Sequence, residues 1–449
     1  MKNLSFNQWA LRFALLMLVT AVVGLIATSQ QYDTFYFVAG ISAILFCLAL
    51  SYGLKEFQPT KGLSFTMWIL ASVCIAMFFP KYFIVWGTGD NPFVLEKLIT
   101  PLLQIIMFGV GAQLSFSDLA GVMKRPGTVA IGVIGRYTVG PLLVLALVPI
   151  FRFFAPEAFT PDMVNMIIAG FILVAVMPCG LASNVMVMLA NANVALAVTI
   201  GATTTLLAPF VVPPLMQLFA GSMVELNTWG MMFNIFKMVA FPIIAGFIFN
   251  LFNQNKESVK TKIIQMSSFF ALIVLASLLG LLAFASFCYF KETAIFLGIF
   301  FVLPAVVGYL LNLKFEGDQT LVKKTLGKLS QIGIFTIVLV ITAAGRDALA
   351  AAGGLLVTLV ILHNTLGYGA GYCLAWLFRM PEIDRRTLAF EVGMPNAGAA
   401  SGLAMAIGPI ATAGLAPAIY GPVMNIFGST LASIWKGKPI KEEAKTEEK

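Results

Sequence analysis

The chain has 449 residues, of which 59% are apolar and 11% charged, whereas soluble domains average roughly 45–50% apolar and about 25% charged residues. This composition excludes an ordinary soluble protein, and no polar segment is long enough to form a soluble domain. The net charge of +8 is scattered over short connecting segments, so the expected partner is the lipid bilayer and not nucleic acid.

Fourteen apolar runs are long enough to cross roughly 30 Å of hydrocarbon. They predict an all-α polytopic membrane protein. Short polar or Pro/Gly breaks separate them, as is usual for connections between helices. The runs lie at 8–28, 35–53, 64–87, 97–115, 127–150, 163–190, 194–219, 229–252, 264–288, 292–312, 331–350, 354–378, 385–408 and 412–434.

The distribution of Lys and Arg predicts the orientation. If the N-terminus is cytoplasmic, 21 Lys and Arg residues fall on the inside, in loops and tails, and 5 fall in outside loops. Positive residues favour the cytoplasmic side, so we predict a multi-pass protein of the plasma (inner) membrane with both termini in the cytoplasm. The charged end, 436–449, is predicted to be a solvated tail. The outside loops would hold Lys81, Lys97, Arg152, Lys291 and Arg346.

Two charged residues lie deep inside predicted spans. Glu391 is about six residues into the thirteenth run, and Arg136 is about ten residues into the fifth. A charge at such depth costs a few kcal/mol and usually marks an ion or substrate path. The alternative is a pair between Glu391 and Arg136 that serves folding only. Lys237 lies close enough to a run end to reach the interface.

Two segments, 177–184 and 391–398, interrupt apolar runs with proline and glycine. Each interruption leaves backbone groups unpaired at membrane depth, which is tolerated only beside a protein-lined or wet cavity. A half-helix N-terminus suits an anion and unwound carbonyls suit a cation. Two such helices crossing near the midplane would form the binding site of a carrier.

The two halves of the chain also resemble each other. Residues 109–113 and 341–345 are alike, and each segment is followed two runs later by an interrupted run. Seven runs separate the equivalent elements, and this odd number predicts an inverted repeat.

On these motifs, the chain resembles the bile acid sodium symporter family over about 64–253 and 331–435. The resemblance implies two inverted five-helix repeats with crossed discontinuous helices, arranged as panel and core domains, plus about four additional helices. We predict the following divisions: an extra helix pair in 1–62, the first repeat and start of the second in 63–253, an inserted pair and loop in 254–330, the remainder of the second repeat in 331–435, and the tail in 436–449. The matching residues are Pro178 to Asn184, Asn193 to Ala197, Leu206 to Pro209, Leu362 to Asn364, Leu366 to Tyr368, Glu391 to Met394, and Asn396.

The resemblance also implies site residues. Ser183, Asn184 and Glu391 match sodium ligands, while Asn396 matches an asparagine near the substrate. A serine and a threonine of the first sodium site are replaced here by Ala197 and Gly201, and Thr199 and Thr203 are candidate substitutes. The residues predicted to bind substrate are Pro178, Cys179, Gly180, Leu181, Pro395 and Asn396.

Arg136 occupies the position of a glutamine that serves the second sodium site in the family, and Pro395 replaces another glutamine. A guanidinium is a permanent cation, so it would repel sodium there and pair with Glu391. We therefore expect Arg136 to act as a tethered replacement for one sodium, leaving one weakened ion site at most. The alternative places Arg136 at the panel interface.

The leading functional prediction is a secondary active transporter of a small organic anion, working by alternating access. An arsenite-type efflux permease is an alternative, because Cys179 follows Pro178 in the interrupted helix. A channel or a transport-dead sensor on the same fold is another, since an Arg136–Glu391 pair would immobilise the core. No direction, substrate identity or oligomeric state is predicted.

Catalysis is not expected from this sequence. The single histidine, His363, has no nucleophile or acid at useful spacing, and we predict that His363 and Asn364 make structural hydrogen bonds between helices. The five cysteines lack metal-ligand spacing. No organic cofactor is therefore expected, and Na⁺ is the one candidate ion.

Overall fold

A computed structural model describes residues 6–28, 33–54, 63–86, 93–114, 125–254, 298–315 and 320–438. These residues are almost entirely helical. The first eight α-helices are α1 (Phe6–Thr28), α2 (Asp33–Gly53), α3 (Leu63–Phe78), α4 (Ile99–Gly111), α5 (Pro126–Phe154), α6 (Pro161–Val176), α7 (Leu181–Leu189) and α8 (Val194–Ala220). The other nine are α9 (Thr228–Ile235), α10 (Phe241–Gln254), α11 (Leu303–Phe315), α12 (Thr320–Ala344), α13 (Arg346–Leu377), α14 (Glu382–Gly393), α15 (Ala397–Leu403), α16 (Ile410–Ala413) and α17 (Leu415–Lys436).

Shorter elements join some of these helices. A two-stranded antiparallel sheet pairs β1 (Val85–Trp86) with β2 (Phe93–Val94). The 3₁₀ turns are Pro80–Phe83, Leu95–Leu98 and Ala404–Ala406, and the π-helical turns are Phe236–Ala240 and Gly298–Val302.

Helix starts follow the capping chemistry of the sequence. The Thr160 hydroxyl accepts from Met163 N, 3.3 Å away, at the start of α6. Asn193 caps α8 and Asn227 caps α9 in the same way, through their side-chain oxygens. Each cap satisfies a backbone N–H that has no partner inside its own helix.

Seven described helical segments are long and apolar enough to cross a membrane. The protein is therefore a multi-pass membrane protein, and the predicted total of fourteen crossings remains a prediction. The ninth predicted run, 264–288, the start of the tenth, and the tail from residue 439 lie outside the described residues.

Some predicted boundaries are wrong. The third run was expected to reach residue 87, but α3 ends at Phe78 and is followed by the 3₁₀ turn Pro80–Phe83 and by β1. The eleventh run was expected at 331–350, with Lys324 and Lys328 in a loop, but α12 begins at Thr320 and ends at Ala344. Gly345 then caps α13, which starts at Arg346. Both lysine side chains are exposed on the first turns of α12. A criterion based on hydropathy does not detect this polar start of the helix, because backbone hydrogen bonds form whether the side chains are polar or apolar.

The chain divides into two compact units. The larger comprises Met1–Leu103, Phe116–Met238 and Gln331–Lys449. Its core includes Val129 of α5, Ile200 of α8 and Leu388 of α14, which are packed with Cys179.

The first two helices belong to the larger unit and pack on each other. Arg346 of α13 ties the second of them, α2, to α3 and α13: its Nη2 donates to the Tyr36 hydroxyl of α2 and its Nε donates to Met77 O of α3, both at 3.1 Å. The predicted extra helix pair is thus fastened to the larger unit by a polar contact as well as by apolar packing.

The smaller unit comprises Gln104–Ser115 and Val239–Ser330. Its helices approach closely, because a Cβ added to Gly246 of α10 would lie 2.0 Å from Phe108 O. Ile248, Phe252 and Ala305 form an apolar cluster between α10 and α11. Small residues at such crossings allow helix backbones to touch, as is common in membrane proteins.

Candidate functional site

Two interrupted helices meet through their backbones in the larger unit. The first is α6–α7, broken at 177–180, and the second is α14–α15, broken at 394–396. Gly180 N donates to Met394 O at 2.9 Å, and Asn396 N donates to Pro178 O at 2.8 Å. The two interruptions predicted from the sequence therefore exist, and they form one crossing.

Cys179 and Pro395 face each other at the centre of this crossing, as an isolated antiparallel bridge. Gly180 must be small, because a Cβ there would lie 2.9 Å from Pro395 O and 3.4 Å from Met394 O. The backbone groups that the breaks expose are thus partly satisfied by the opposite break.

The second halves of the two interrupted helices, α7 and α15, begin with different N-caps. α7 has Gly180 as its N-cap and no side-chain cap. α15 has Asn396 as its N-cap, and the Asn396 side-chain oxygen accepts from Ala399 N at 2.9 Å. The Asn396 side-chain oxygen is therefore used as the cap of α15. In α7, by contrast, no N-cap side chain accepts a hydrogen bond from the backbone N–H groups of the first turn.

Arg136 of α5 is completely buried and donates to backbone carbonyls of both interrupted helices. Its Nε donates to Met177 O at 2.9 Å, and its Nη2 donates to Ala175 O at 2.7 Å and Val174 O at 3.3 Å. Its Nη1 donates to Val392 O near the end of α14. The carbonyls at a helix C-terminus lack intrahelical partners and carry partial negative charge. The guanidinium therefore caps the C-terminal ends of α6 and α14, the first halves of the two interrupted helices, at the same time.

The predicted pair between Arg136 and Glu391 does not form. None of the ion pairs among the described residues contains either side chain. The guanidinium donors go instead to carbonyls that would otherwise be buried without partners, which is costly.

Glu391 is fully buried, and neither of its carboxylate oxygens has a hydrogen-bond partner among the residues that the structure describes. The Ser183 hydroxyl and the Cys179 thiol lie beside it. However, Ser183 Oγ donates to Gly180 O at 2.7 Å, and Cys179 Sγ donates to the backbone oxygen of Glu391 at 3.3 Å. These two donors are therefore used by backbone oxygens and not by the Glu391 carboxylate.

A small space adjoins this carboxylate. A Cβ built on Gly201 of α8 would lie 3.9 Å from Glu391 Oε2 and would meet no other neighbouring atom within 4 Å. The side-chain oxygen of Asn184, on α7, is also buried, and it has no hydrogen-bond partner in the described part of the chain. A carboxylate, an amide oxygen and a hydroxyl are hard oxygen donors, and this set fits a small hard cation such as Na⁺. No group of three or more His, Cys, Asp or Glu side chains suited to other metals occurs in the described residues.

Thr199 and Thr203 are not placed to replace the missing ligands. Gly201 faces Glu391, and residues two positions away leave a helix about 200° around its axis. Each hydroxyl donates to the carbonyl four residues earlier in α8, at 2.8 Å for Thr199 and 2.7 Å for Thr203.

Thr204 lies on the same side of α8 as Gly201, and its Oγ1 accepts from Cys179 N at 3.3 Å. The sequence analysis missed Thr204, although its spacing of three residues from Gly201 places both on one face.

His363 and Asn364 connect helices behind the crossing. The Gly140 carbonyl can only accept, so His363 Nε2 donates to it at 3.0 Å and Nδ1 accepts from the Tyr420 hydroxyl at 2.8 Å. Asn364 Nδ2 donates to Gly393 O at 2.8 Å. Tyr420 is a residue that the sequence analysis did not single out, because a tyrosine in an apolar helix carries no distinguishing signal.

Seven spanning segments, together with two interrupted helices that cross beside buried polar groups, are typical of membrane carriers built from discontinuous helices. A sequence profile of the Sodium Bile acid symporter family matches residues 100–288. The chain is also 31% identical over 392 residues to the "Uncharacterized sodium-dependent transporter YocS" of Bacillus subtilis (strain 168), covering 87% of this chain and 96% of that protein. The chain belongs to this family of transporters, and it is not an enzyme.

Plant relatives extend the likeness. The chain is 24% identical over 376 residues to the "Probable sodium/metabolite cotransporter BASS2, chloroplastic" of Oryza sativa subsp. japonica, covering 84% of this chain and 71% of that protein. It is 28% identical over 235 residues to "Probable sodium/metabolite cotransporter BASS1, chloroplastic" of the same plant, covering 51% of each chain.

Proposed function

We propose that this protein is a secondary active transporter of a small organic anion in the plasma (inner) membrane. It works by alternating access, and it is coupled to one sodium ion at most because Arg136 replaces a second. The observation that carries the proposal is the guanidinium bonded to carbonyls of both interrupted helices, beside a buried carboxylate without a bonded partner. The names of the relatives, "sodium-dependent transporter" and "sodium/metabolite cotransporter", support coupling to sodium.

The reciprocal bonds at the crossing support two inverted repeats. Gly180 N donates to Met394 O, and Asn396 N donates to Pro178 O. Gly180 in the first break therefore has the same role as Asn396 in the second, and Pro178 has the same role as Met394. A pair of half-helices related in this way presents two similar sets of backbone groups to a site between them. We assign α6–α7 to the first repeat and α14–α15 to the second.

Arg136 supplies a fixed positive charge at the crossing. The carbonyls of Val392 and Met177 accept from its nitrogen atoms, although unwound carbonyls of this kind suit a metal cation. A second cation placed among the same oxygens would be repelled by the guanidinium, which stays protonated at any physiological pH. Sodium is therefore excluded from this position, and its charge is supplied permanently by the protein.

The remaining ion site would be formed by Ser183, Asn184 and Glu391. It lacks hydroxyl ligands from α8, since Ala197 and Gly201 stand where the family resemblance implies serine and threonine. The space beside Gly201 leaves room for one such ligand. We infer that the site binds sodium weakly.

The anion would bind at the first turn of α7, whose N-cap, Gly180, offers no side-chain acceptor. The amide group of Asn396 is the donor that we assign to the anion from the second interrupted helix, because its oxygen is used by the cap of α15. Arg136 lends positive potential to both half-helix junctions. Together these groups favour a compact negative substrate, such as a carboxylate.

The test is the thermal unfolding of the purified protein in detergent, with NaCl exchanged for choline chloride at constant ionic strength. A ligand that binds only the folded state stabilises it by RT ln(1 + [L]/Kd), which is about 2.7 kcal/mol at one hundred times Kd. We expect sodium to raise the unfolding temperature of the parent at high concentration and to have no effect on Glu391→Gln. A sodium effect that survives Glu391→Gln would contradict the assigned ligand.

Gly201→Ser sharpens the test, because it places a hydroxyl beside the Glu391 carboxylate. We expect it to lower the sodium concentration at half-maximal stabilisation. Gly369→Ser is the matched control, since a Cβ at Gly369 of α13 also meets nothing within 4 Å but lies away from the carboxylate.

If sodium stabilises Arg136→Gln but not the parent, the arginine has displaced the ion altogether. If no variant responds, the protein does not couple to sodium, and the guanidinium bonding both interrupted helices would then favour a sensor on this fold.

A further inference from the structure

A buried carboxylate outside the crossing ties three helices together at their first turns. Asp384 of α14 is completely buried. Its Oδ2 accepts from Arg125 Nη2 at 2.6 Å, and its Oδ1 accepts from Asn193 Nδ2 at 2.8 Å. Arg125 is the N-cap position of α5 and Asn193 is the N-cap of α8. We call Arg125, Asn193, Asp384 and Thr387 the clamp.

Thr387 continues the clamp along α14. Its Oγ1 accepts from Asn193 N at 2.9 Å and lies 3.4 Å from Asn193 O. Asp384, Thr387 and Glu391 are separated by three and four residues, so they share one face of α14. The face that is bonded to the start of α8 therefore also carries the deep carboxylate.

Each helix that begins at the clamp carries one residue of the crossing. With a rise of about 1.5 Å per residue, Glu391 is about 10 Å from Asp384 along α14, Gly201 is about 12 Å from Asn193 along α8, and Arg136 is about 16 Å from Arg125 along α5. The three helices are bonded to each other at one end. Farther along, Gly201 faces the Glu391 carboxylate, and Arg136 donates to the carbonyl of Val392, the residue after Glu391.

We propose that the clamp positions the Glu391 carboxylate, which the proposed function assigns to sodium. The proposal rests on that function only through this assignment of Glu391. α14 has 12 residues and ends at a break. Its far end is bonded only through backbone carbonyls, at Val392 by Arg136 and at Gly393 by Asn364, whereas the clamp bonds side chains of its first turns. A slip of one residue would turn Glu391 by about 100°, away from Gly201. The bonds from Asn193 and Arg125 to Asp384 oppose such a slip, because a buried carboxylate cannot give up its donors without a large desolvation cost.

The test compares two substitutions in the first turn of α14. Asp384→Asn removes the charge that Arg125 bonds, while retaining the side-chain shape. Glu382→Gln is the matched control, since Glu382 accepts from Arg386 and Tyr372 instead and lies about 200° from Asp384 around the helix. Asn193→Ser provides a second clamp variant, because serine preserves the cap of α8 but cannot reach Asp384 in the same way.

The first readout is modification of Cys179 by methyl methanethiosulfonate in the full-length protein, followed by peptide mass spectrometry without sodium or substrate. Cys179 is buried and contacts the Glu391 backbone, whereas Cys373 is exposed and serves as the internal reference. We expect Asp384→Asn to raise the rate at Cys179 at least about tenfold through local opening, and Glu382→Gln to leave it within about twofold.

The second readout is the sodium concentration at half-maximal thermal stabilisation. We expect it to rise in Asp384→Asn and in Asn193→Ser, and to stay unchanged in Glu382→Gln. If the Asp384 and Glu382 variants lose similar stability while Cys179 stays protected, the clamp is only structural and the proposal is overturned. If the parent shows no sodium response, the sodium coupling proposed above fails, and the Cys179 rates alone decide on the clamp. If Asp384→Asn does not fold, Asn193→Ser is compared with Glu382→Gln by the same two criteria.

Discussion

At the scale of single residues, Arg136 shows how a membrane interior accommodates a permanent charge. Five N–H donors in a rigid fork match several carbonyls at once, and both first halves of the interrupted helices end beside it. Gly140 is part of this arrangement, because a Cβ there would lie 2.8 Å from Ala175 O and 3.5 Å from the guanidinium nitrogens. A lysine could satisfy fewer of these acceptors and could not adopt the same planar geometry.

Arg136→Gln is therefore expected to destabilise the folded protein by about 3 kcal/mol, because it leaves buried carbonyls without donors. Arg136→Lys should fall between Gln and the parent. Unfolding in choline chloride measures this effect without any contribution from sodium. Arg152→Lys is the control, since Arg152 donates to Asn165 at an exposed position and its replacement should change little. Equal stability of the two lysine variants would show that the carbonyls at the crossing do not depend on the guanidinium.

At the scale of elements, the crossing depends on short stretches of non-helical backbone. Pro178 and Pro395 cannot donate hydrogen bonds, so each helix is released from its own ladder where the other passes. Gly180 then allows the two backbones to approach within hydrogen-bond distance of each other.

Gly180→Ala should destabilise the protein by about 1–3 kcal/mol, because the new methyl group would overlap Pro395 O and stretch the bond to Met394 O. Gly354→Ala on α13 is the matched control, since its Cβ meets nothing within 4 Å. That control should be neutral or stabilising by up to about 1 kcal/mol, as expected for Gly-to-Ala changes inside helices. Thermal unfolding of both variants decides the matter, and a Gly180→Ala protein as stable as the control would mean that the crossing can widen at little cost.

At the scale of the whole molecule, the charge distribution predicts the orientation in the membrane. Lys438 follows α17, and Glu157 lies in the loop between α5 and α6, and both side chains are exposed. The excess of cations in the loops assigned to the inside predicts that Lys438 is cytoplasmic and Glu157 external.

Single cysteines at these positions, in a chain whose native cysteines are replaced by serine, test this orientation with a membrane-impermeant maleimide. Glu157→Cys should be labelled in intact cells, and Lys438→Cys only after the membrane is opened. The reverse pattern would invert the orientation and would place the first turns of α5, α8 and α14 outside.

The sequence alone determined that this chain crosses the membrane repeatedly, that two of its helices are interrupted, and that Glu391 and Arg136 are buried. These features follow from composition, from proline and glycine, and from the cost of a charge in hydrocarbon, all of which are local properties. Only the tertiary structure decided that Arg136 bonds to carbonyls and not to Glu391, that Gly201 and not Thr199 or Thr203 faces the carboxylate, and that Asp384 ties three helices together. The reason is that these contacts depend on the rotation of each helix about its own axis. Largely apolar helices such as α5 and α8 give little sequence signal of which face points inward. The partners of Asp384, Arg125 and Asn193, lie far from it in the sequence, so no local pattern identifies them.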